Sequence, residues 1–350
     1  MHILIVANGI VRAGVSRVLS LVSKEWQKAH DVKIVTFKYS EPEYEVGGQF
    51  LKKGVFFRGC MLSQILHLYW ILKTHQFDRI YGFSEDANYP LIVAAKWAGV
   101  ADKVVLTVHN PVQKFSTKVA RRVKKHYLSA GKIIAVSNGV KQGLVELGVP
   151  AQKIEFVPNP IDLDMVDLQA AELSVRLQPN KINLVSVGRL HPHKGFDMLI
   201  QAFSNLNNPD IHLSIVGEGM ERGRLEDLIE KLNLMDKVTL LGQHNNPFSI
   251  LQQSDVFVLS SRLEGWPLVL MEAMAVGLPS IAFKCPNGPD EIIEHGANGL
   301  LVEANNIEGL SNAMTLLVNR ADLRASLGSK ARSSIAIYNV DRIARQWLNV

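Results

Sequence analysis

The sequence is poor in cysteine and contains no long hydrophobic run. Its two cysteines, Cys60 and Cys285, lie far apart, so they provide no disulfide framework and are typical of a reducing compartment. No segment has the roughly 18 or more consecutive apolar residues of a transmembrane helix. The apolar opening, residues 2–7, is short and follows no basic region, which predicts a first β-strand and not a signal peptide. Low-complexity segments and short repeats are also absent. These absences predict a cytoplasmic protein.

Length and charge predict two domains with different partners. A chain of 350 residues exceeds one ordinary hydrophobic core and fits two α/β domains. An apolar content of 47% with 20% charged residues is typical of soluble globular proteins. Residues 1–165 carry a net charge of +9 and residues 166–350 a net charge of −4. We therefore expect the basic first half to face an anionic partner.

Strand-like runs alternate with helical patterns in both halves of the chain. These runs cover residues 3–7, 32–37, 79–81, 104–108, 133–136 and 154–157, and then 182–187, 211–216, 237–241, 255–259, 279–283 and 299–302. The alternation predicts an α/β fold with parallel sheets covered on both faces. Asn159-Pro160 interrupts the pattern, and the polar stretch 162–181 predicts a linker with a helical portion. We therefore expect one domain over residues 1–165 and a second over residues 166–334.

The most informative segment follows the strand-like run at residues 255–259 and reads SSRLEGWPLVLMEAMAVG. Pro267 is expected at the first position of a helix, where its missing N–H costs nothing. The free backbone amides of Leu268 and Val269 would then form an anion site at the helix N-terminus. Glu264 lies in the loop before this helix and Glu272 lies about a turn inside it. An anion site flanked by two carboxylates suits a nucleotide sugar, with one carboxylate on the ribose and the other on the hexose.

This segment resembles the signature of the retaining glycosyltransferases of family 4. The resemblance is carried by EGWPLVLME, with Glu264 and Glu272, and extends over CPNGPDEII from Cys285 and NGLLV from Asn298. It implies the GT-B fold, two Rossmann-like doubly wound α/β domains facing a central cleft. The first domain would bind the acceptor and the second the nucleotide-sugar donor, and a C-terminal helix (335–350) would pack back onto the first domain. It also implies transfer of a hexose or N-acetylhexosamine, most often from a UDP-sugar, in the biosynthesis of bacterial surface glycans.

Further residues match the family pattern for donor binding. In SVGRLHPHKG, Arg189 and Lys194 occupy the places of the family's phosphate-binding cations, and two cations plus a helix N-terminus can stabilise a diphosphate leaving group without a metal. His109 matches the family's histidine near the donor sugar, where it would bind the sugar or position the diphosphate. The family usually has two glycines where this chain has Ala13-Gly14, in the loop before a helix expected to start near Val15. A phosphate contact, with the positive φ that glycine permits, is therefore expected only at Gly14, and an ordinary βα turn is an equal alternative.

Three other patterns were weighed against this interpretation. Gly217-Glu-Gly219 lacks a third glycine in register for dinucleotide binding, which disfavours a dehydrogenase; in a glycosyltransferase Gly217 and Gln243 would border the base. Asp162-Leu-Asp164 has the acid-x-acid spacing of metal-dependent transferases, but its place in the linker favours helix capping or solvated carboxylates. His191 and His193 have no further zinc ligands at suitable spacing. We therefore predict no metal and no other cofactor.

The segment 114–132 is strongly basic. It contains seven Lys or Arg residues and no acid, and apolar residues recur every four positions. This pattern favours docking on an anionic membrane surface; the alternatives are a packed helix with a solvated outer face and, less favoured, nucleic-acid binding, for which no binding module is present. The cations are Lys114, Lys118, Arg121, Arg122, Lys124, Lys125 and Lys132.

The predicted function is that of a metal-independent, retaining glycosyltransferase at the cytoplasmic face of the cell membrane. Its expected catalytic residues are His109 and Glu264. Its acceptor would be a lipid-linked glycan or a polysaccharide, as in the synthesis of O-antigen, capsule or exopolysaccharide. The alternatives are a nucleotide-sugar epimerase of the same fold and a catalytically silent nucleotide- or glycan-binding scaffold.

Overall fold

The computed structural model describes residues 1–11, 13–38, 42–53, 60–172 and 177–350. They form two compact units. Unit 1 comprises Met1–Pro160 and Tyr338–Val350, and unit 2 comprises Ile161–Ile337. The chain passes from one unit to the other after Pro160, five residues before the position expected from the sequence. The linker predicted at residues 162–181 lies within unit 2 and includes four residues, 173–176, that are outside the described residues.

Unit 1 contains a seven-stranded parallel sheet in the order β3-β2-β1-β4-β5-β6-β7. The order reverses at β1, which lies between β2 and β4, as in a doubly wound fold. The strands are β1 (His2–Ala7), β2 (Asp31–Thr36), β3 (Gln49–Lys53), β4 (Arg79–Phe83), β5 (Val104–Val108), β6 (Lys132–Ala135) and β7 (Ile154–Phe156). The sequence did not predict β3, because this edge strand pairs with β2 alone and its segment, QFLKK, lacks the continuous apolar character of a central strand.

The helices of unit 1 cover its sheet. They are α1 (Gly14–Trp26), α2 (Met61–Thr74), α3 (Glu85–Ala98), α4 (Thr117–His126), α5 (Asn138–Glu146) and, from the end of the chain, α14 (Val340–Leu348). Helix α3 packs against both α2 and α4, and α1 packs against α14. Trp347 anchors α14: its side chain is fully buried, and its indole N–H donates to the carbonyl of Pro158 at 3.2 Å.

Unit 2 contains a six-stranded parallel sheet in the order β10-β9-β8-β11-β12-β13. Here the order reverses at β8, which lies between β9 and β11. The strands are β8 (Ile182–Val187), β9 (Ile211–Val216), β10 (Val238–Gly242), β11 (Val256–Leu259), β12 (Ser280–Lys284) and β13 (Leu300–Glu303). Both sheets therefore have the doubly wound α/β architecture that the sequence predicted. In such sheets ligands bind at the carboxyl ends of the strands near the reversal point.

The helices of unit 2 surround a core built on its central strands. They are α6 (Leu163–Ala170), α7 (Phe196–Ser204), α8 (Arg222–Lys231), α9 (Phe248–Gln252), α10 (Leu268–Ala275), α11 (Pro289–Ile292), α12 (Ile307–Asn319) and α13 (Ala321–Ile335). Side chains of β8, β9 and β11 pack with those of α7 and α12 in one hydrophobic cluster. In the described part of the chain, no helix is both long and apolar enough to cross a lipid bilayer.

Candidate functional site

The loops at the carboxyl ends of β8, β9 and β11 pack backbone against backbone. Gly195 follows the short 3₁₀ turn Pro192–Lys194 with φ = 65°, and a Cβ at this position would collide with the carbonyl oxygen of Ser260. Gly217 has φ = 142°, and a Cβ there would collide with the carbonyl oxygen of Gly188. Only glycine fits these places, because it tolerates positive φ and leaves room for the neighbouring chain. The three loops therefore form one rigid rim.

Lys194 and Glu264 form an ion pair on this rim. The Lys194 Nζ lies 2.7 Å from Glu264 Oε1, and the Ser261 hydroxyl donates to the same oxygen at 2.6 Å. Glu264 is buried, with 7% of its surface exposed, whereas the Lys194 side chain is 25% exposed. Burying a carboxylate is costly unless it is paired and hydrogen-bonded, as it is here. The pair therefore fixes both side chains, and the Lys194 ammonium keeps donors for an anionic ligand.

A second ion pair holds the loop that carries Glu264. The Arg262 guanidinium makes two hydrogen bonds of 2.8 Å to the Asp197 carboxylate, one to each oxygen, and a third to the carbonyl of Pro192. Burial pushes the pKa of Asp197 upward, but the contact with Arg262 outweighs this and leaves the pKa below its usual value. The Arg262 side chain thus stabilises this loop, whereas the Arg189 side chain, on the neighbouring loop, is exposed.

Helix α10 begins beside this rim. Its N-cap is Pro267, whose carbonyl accepts from the amides of Leu270 and Met271 at 3.0 and 3.4 Å. The sequence predicted Pro267 as the first helical residue, but the helix begins one residue later, at Leu268. The backbone of Pro267 is extended, with ψ = 94°, and its carbonyl accepts the first hydrogen bonds of the helix. Leu268 and Val269 are consequently the first two helical residues, whose amides have no partner within the helix. The structure thus has the predicted helix N-terminus after the Glu264 loop.

The remaining predicted donor-site residues of unit 2 lie in α10 and at the ends of β9 and β10. Glu272 is buried in α10, with 7% of its surface exposed. The Gly217 amide donates to the carbonyl of Gly242 at 2.8 Å, so Gly217 lies next to exposed Gln243. The candidate base-binding residues are therefore brought together at the carboxyl edge of the sheet.

In unit 1, His109 follows β5 and is held in one tautomer. Its Nε2 lies 3.0 Å from the Thr107 hydroxyl, and that hydroxyl donates its own proton to the carbonyl of Gly82. Thr107 must therefore accept from His109, which assigns the proton to Nε2 and leaves Nδ1 as an acceptor. The ring stacks on Phe83 and contacts Trp347, each at 5.9 Å between centroids. Burial lowers the pKa of His109 to about 4, and a hydrogen bond with the Asn159 side chain opposes this shift more weakly.

The first loop of unit 1 differs from its predicted conformation. Gly14 is exposed and is the first residue of α1, so its backbone is helical and does not adopt the positive φ expected of a phosphate-binding glycine. The helix begins one residue earlier than predicted, and Ala13, with extended backbone, is the N-cap. Arg12, in the same loop, lies outside the described residues. An amide contact at a helix N-terminus is the role that this geometry leaves to Gly14.

Comparison with known proteins identifies the family. Residues 12–165 match the family model Glycosyltransferase Family 4, and residues 172–334 match Glycosyl transferases group 1. A UDP-Gal:alpha-D-GlcNAc-diphosphoundecaprenol alpha-1,3-galactosyltransferase of Escherichia coli is 32% identical over 274 residues, which cover 72% of this chain and 69% of that protein. The chain belongs to glycosyltransferase family 4. An uncharacterized glycosyltransferase of Haemophilus influenzae is 37% identical over 169 residues, and the match spans 48% of the length of each protein.

Solved structures show the same fold. The Anabaena protein Alr3699/HepE, in complex with UDP, superposes with a TM-score of 0.82 at 21% identity, covering 100% of this chain and 99% of that one. The fold of this family 4 chain is thus the GT-B fold that the sequence resemblance implied. The same Anabaena protein has also been solved with UDP-glucose.

The basic segment of this family 4 chain forms helix α4, whose N-cap Ser116 accepts from the amide of Val119. Val123 and Tyr127 are buried, so the apolar face packs into unit 1. The Arg122 guanidinium lies 4.1 Å from the ring centre of Tyr89, and Lys132 pairs with Glu155. The five other cations of the segment are exposed, namely Lys114, Lys118, Arg121, Lys124 and Lys125.

The acid-x-acid motif and the histidine pair have structural roles. The Asp162 carboxylate accepts from the amide of Met165 at 3.0 Å and caps α6, and Asp164 lies in the first turn. His191 and His193 stack with their centroids 4.8 Å apart. Among the residues that the structure describes, no three His, Cys, Asp or Glu side chains are grouped to hold a metal ion.

One part of the carboxyl edge of unit 1 was overlooked in the sequence. Ser84 and Glu85 follow β4 directly, and Glu85 Oε2 accepts from the Asn110 side chain at 2.9 Å. The available signal was the polar triplet Ser-Glu-Asp after a strand-like run. Because β4 and β5 are neighbours and His109 directly follows β5, this triplet lies next to His109.

Proposed function

We propose that this protein transfers a hexose or N-acetylhexosamine from a UDP-sugar to a lipid-linked or polysaccharide acceptor, with retention of anomeric configuration and without a metal. The observation that carries the proposal is the Lys194–Glu264 ion pair beside the N-terminus of α10. It joins a cation, a fixed carboxylate and free amides at the edge where doubly wound sheets bind ligands. The name of the Escherichia coli relative includes both a UDP-sugar donor and a lipid-linked acceptor.

Donor binding divides among the loops of unit 2. Arg189, Lys194 and the amides of Leu268 and Val269 would bind the diphosphate, because charge-assisted hydrogen bonds and a helix N-terminus favour anions. Glu272 would accept from the ribose hydroxyls, and Gly217 with Gln243 would border the base. These protein groups supply the charge stabilisation for which other transferases use a divalent ion.

Glu264 would bind hydroxyls of the transferred hexose. Its carboxylate is held in place at Oε1, which accepts from Lys194 and Ser261. In the reaction the bond between the anomeric carbon and the diphosphate breaks while the acceptor oxygen attacks from the same face. The acceptor proton passes to a departing phosphate oxygen. His109 of unit 1, neutral because of its low pKa, would bind a sugar hydroxyl without adding a positive charge.

Membrane docking completes the proposal and places the protein at the cytoplasmic face of the bacterial cell membrane. The exposed cations of α4 would bind anionic lipid headgroups, at about 1 kcal/mol each near the surface. Helix α2 adds an apolar stripe of Leu62, Leu66 and Trp70, spaced four residues apart and 54%, 51% and 60% exposed. Helices α2 and α4 both pack against α3, and α2 contains no acid, so the proposal combines the stripe with the exposed cations in binding to an anionic bilayer.

A donor and acceptor screen tests the proposed reaction. The protein would be incubated with a panel of UDP-sugars and either a polyprenyl-diphosphate-linked sugar or no acceptor, with and without EDTA. We expect one UDP-sugar to yield UDP and an α-linked product only with acceptor, and EDTA to leave the rate unchanged. Conversion of the donor into another UDP-sugar without acceptor would identify an epimerase. UDP binding without turnover would identify a scaffold, and inhibition by EDTA reversed by Mn²⁺ would refute metal independence.

A further inference from the structure

We propose that Glu85 binds a hydroxyl group of the acceptor sugar in unit 1. This inference rests on the proposed function and assigns to it an acceptor contact that the family signature in unit 2 does not provide. The carboxyl edge of unit 1 combines a partly unsatisfied carboxylate with a neutral histidine. Such a site calls for a ligand that donates hydrogen bonds.

Glu85 is fixed by its position in the fold. Strand β4 ends at Phe83, and α3 begins at Glu85. Because Phe83 pairs in register with Thr107 of β5, the residues that follow the two strands lie side by side. The Asn110 side chain donates to Glu85 Oε2 at 2.9 Å. The carboxylate is thus oriented from the neighbouring loop.

The other carboxylate oxygen has no partner. Glu85 Oε1 is shielded from solvent and accepts no hydrogen bond from the described residues. Burial raises the pKa of Glu85, the Asn110 contact opposes this, and the nearby Asp86 reinforces it. A buried acceptor without a donor is costly, and native proteins satisfy nearly all such groups with protein, water or ligand. A sugar hydroxyl would supply the missing donor.

The backbone before Glu85 is strained. Ser84 has φ = 79° and ψ = 156°, a region that is almost exclusively occupied by glycine. Such strain persists where the surrounding structure enforces it, and it concentrates at functional sites. Here it sets the sharp turn from β4 into α3 and places Glu85 at the sheet edge.

His109 follows the adjacent strand, β5. Its side chain is more than nine-tenths buried, its Nε2–H is used by Thr107, and its ring also hydrogen-bonds with the Asn159 side chain. Glu85 Oε1 therefore needs a donor, and the neutral His109 ring adds no positive charge that would attract an anion. The phosphate oxygens of a diphosphate only accept hydrogen bonds at neutral pH, whereas a neutral glycan presents several hydroxyl donors. This chemistry assigns the site to the acceptor sugar and not to the UDP moiety.

Steady-state kinetics of Glu85→Gln would test the assignment. The change preserves side-chain size but removes the charge of the hydrogen-bonded acceptor, and loss of such a bond corresponds to roughly a 10- to 100-fold effect. We expect kcat/KM for the acceptor to fall by this factor, while the donor KM and the acceptor-independent hydrolysis of the UDP-sugar stay within about twofold. The matched control is Asp86→Asn, an exposed neighbour with the same charge change, which should leave acceptor kinetics unchanged.

The outcomes separate the inference from the proposed function. If the wild-type protein transfers sugar and Glu85→Gln leaves the acceptor kcat/KM unchanged, the inference is wrong. An equal rise in donor KM would also overturn it, because the hydroxyl would then belong to the donor. Should Glu85→Gln fail to fold, Asn110→Ala provides the second test, with a smaller loss of acceptor kcat/KM expected and an unchanged donor KM. A wild-type protein without transferase activity would refute the proposed function itself.

Discussion

The Lys194–Glu264 ion pair predicts opposite effects on UDP binding when its two members are changed. Lys194→Met removes a charged donor from the diphosphate site. Glu264→Gln removes a negative charge and leaves the Lys194 ammonium without its 2.7 Å partner. If Glu264 only shaped the loop, both changes would weaken UDP binding.

The magnitudes follow from the charges. A hydrogen bond to a charged group contributes about 1.5–3 kcal/mol, so Lys194→Met should weaken UDP binding by roughly 10- to 100-fold. A carboxylate about 8 Å from a phosphate repels it by about 2 kcal/mol per charge pair at an effective dielectric constant of about 20. Without its Glu264 partner, however, Lys194 must be fixed again when UDP binds, and this cost offsets part of the gain in UDP affinity. We therefore expect Glu264→Gln to bind UDP as tightly as wild type or up to about tenfold more tightly.

Isothermal titration with UDP measures both effects, and product formation completes the comparison. Glu264→Gln should lose transfer by about 100-fold or more while its UDP affinity is kept, because the carboxylate is assigned to the hexose. The matched control is Asp322→Asn, which breaks the exposed Arg320–Asp322 pair at the start of α13 and should change neither quantity. This division of roles would be refuted if Glu264→Gln still melts cooperatively but binds UDP as weakly as Lys194→Met.

Three further predictions address the rim, the histidine and the membrane surface. Gly195→Ala should destabilise the protein by about 1–3 kcal/mol, seen as a lower urea midpoint, and weaken UDP binding, because alanine at φ = 65° forces a Cβ against a neighbouring carbonyl oxygen. His109 has a pKa of about 4 when folded against about 6.5 when unfolded, so it contributes stability that is present above pH 6.5 and lost as the pH falls towards 4. His109→Gln should therefore lose about 3 kcal/mol less of its free energy of unfolding between pH 7 and pH 4 than the wild type, as measured by urea unfolding at both pH values. An equal loss in the two proteins would contradict the burial of the ring. Leu66→Ser with Trp70→Ser should reduce co-sedimentation with anionic vesicles at least about tenfold, whereas Leu168→Ser, which is 70% exposed on unit 2, should not; equal binding by all three proteins would exclude the α2 stripe.

Much of the fold could be predicted because its strands are short apolar runs separated by helical patterns. The edge strand β3 was not predicted, since one-sided pairing requires little apolar character. The start of α10 was predicted one residue too early, at Pro267, and the start of α1 one residue too late, at Val15. The reason is that Pro and Gly are compatible with both the cap and the first helical turn, and only the hydrogen bonds decide between them.

Individual site residues could be predicted, but not their pairings. Lys194 and Glu264 are seventy residues apart and meet because β8 and β11 are neighbours in the sheet, which local patterns do not reveal. Glu85 was missed for a related reason. Its unpaired oxygen and the positive φ of Ser84 are properties of the folded backbone, and a Ser-Glu dipeptide at the start of a helix is otherwise ordinary capping chemistry.

The charge of each half is a poor guide to the ligand of each unit. The first half of the chain is the basic one, yet the exposed cations of its segment 114–132 lie on and beside α4, and the sheet edge of unit 1 presents Glu85 and a neutral His109. The second half is acidic, yet its sheet edge presents Arg189, Lys194 and the N-terminus of α10. Ligand choice depends on the charges within a few ångströms, because solvent and salt screen the more distant ones. We therefore propose that the anionic donor binds unit 2, that a neutral, hydroxyl-rich acceptor binds unit 1, and that the basic surface of unit 1 binds the membrane.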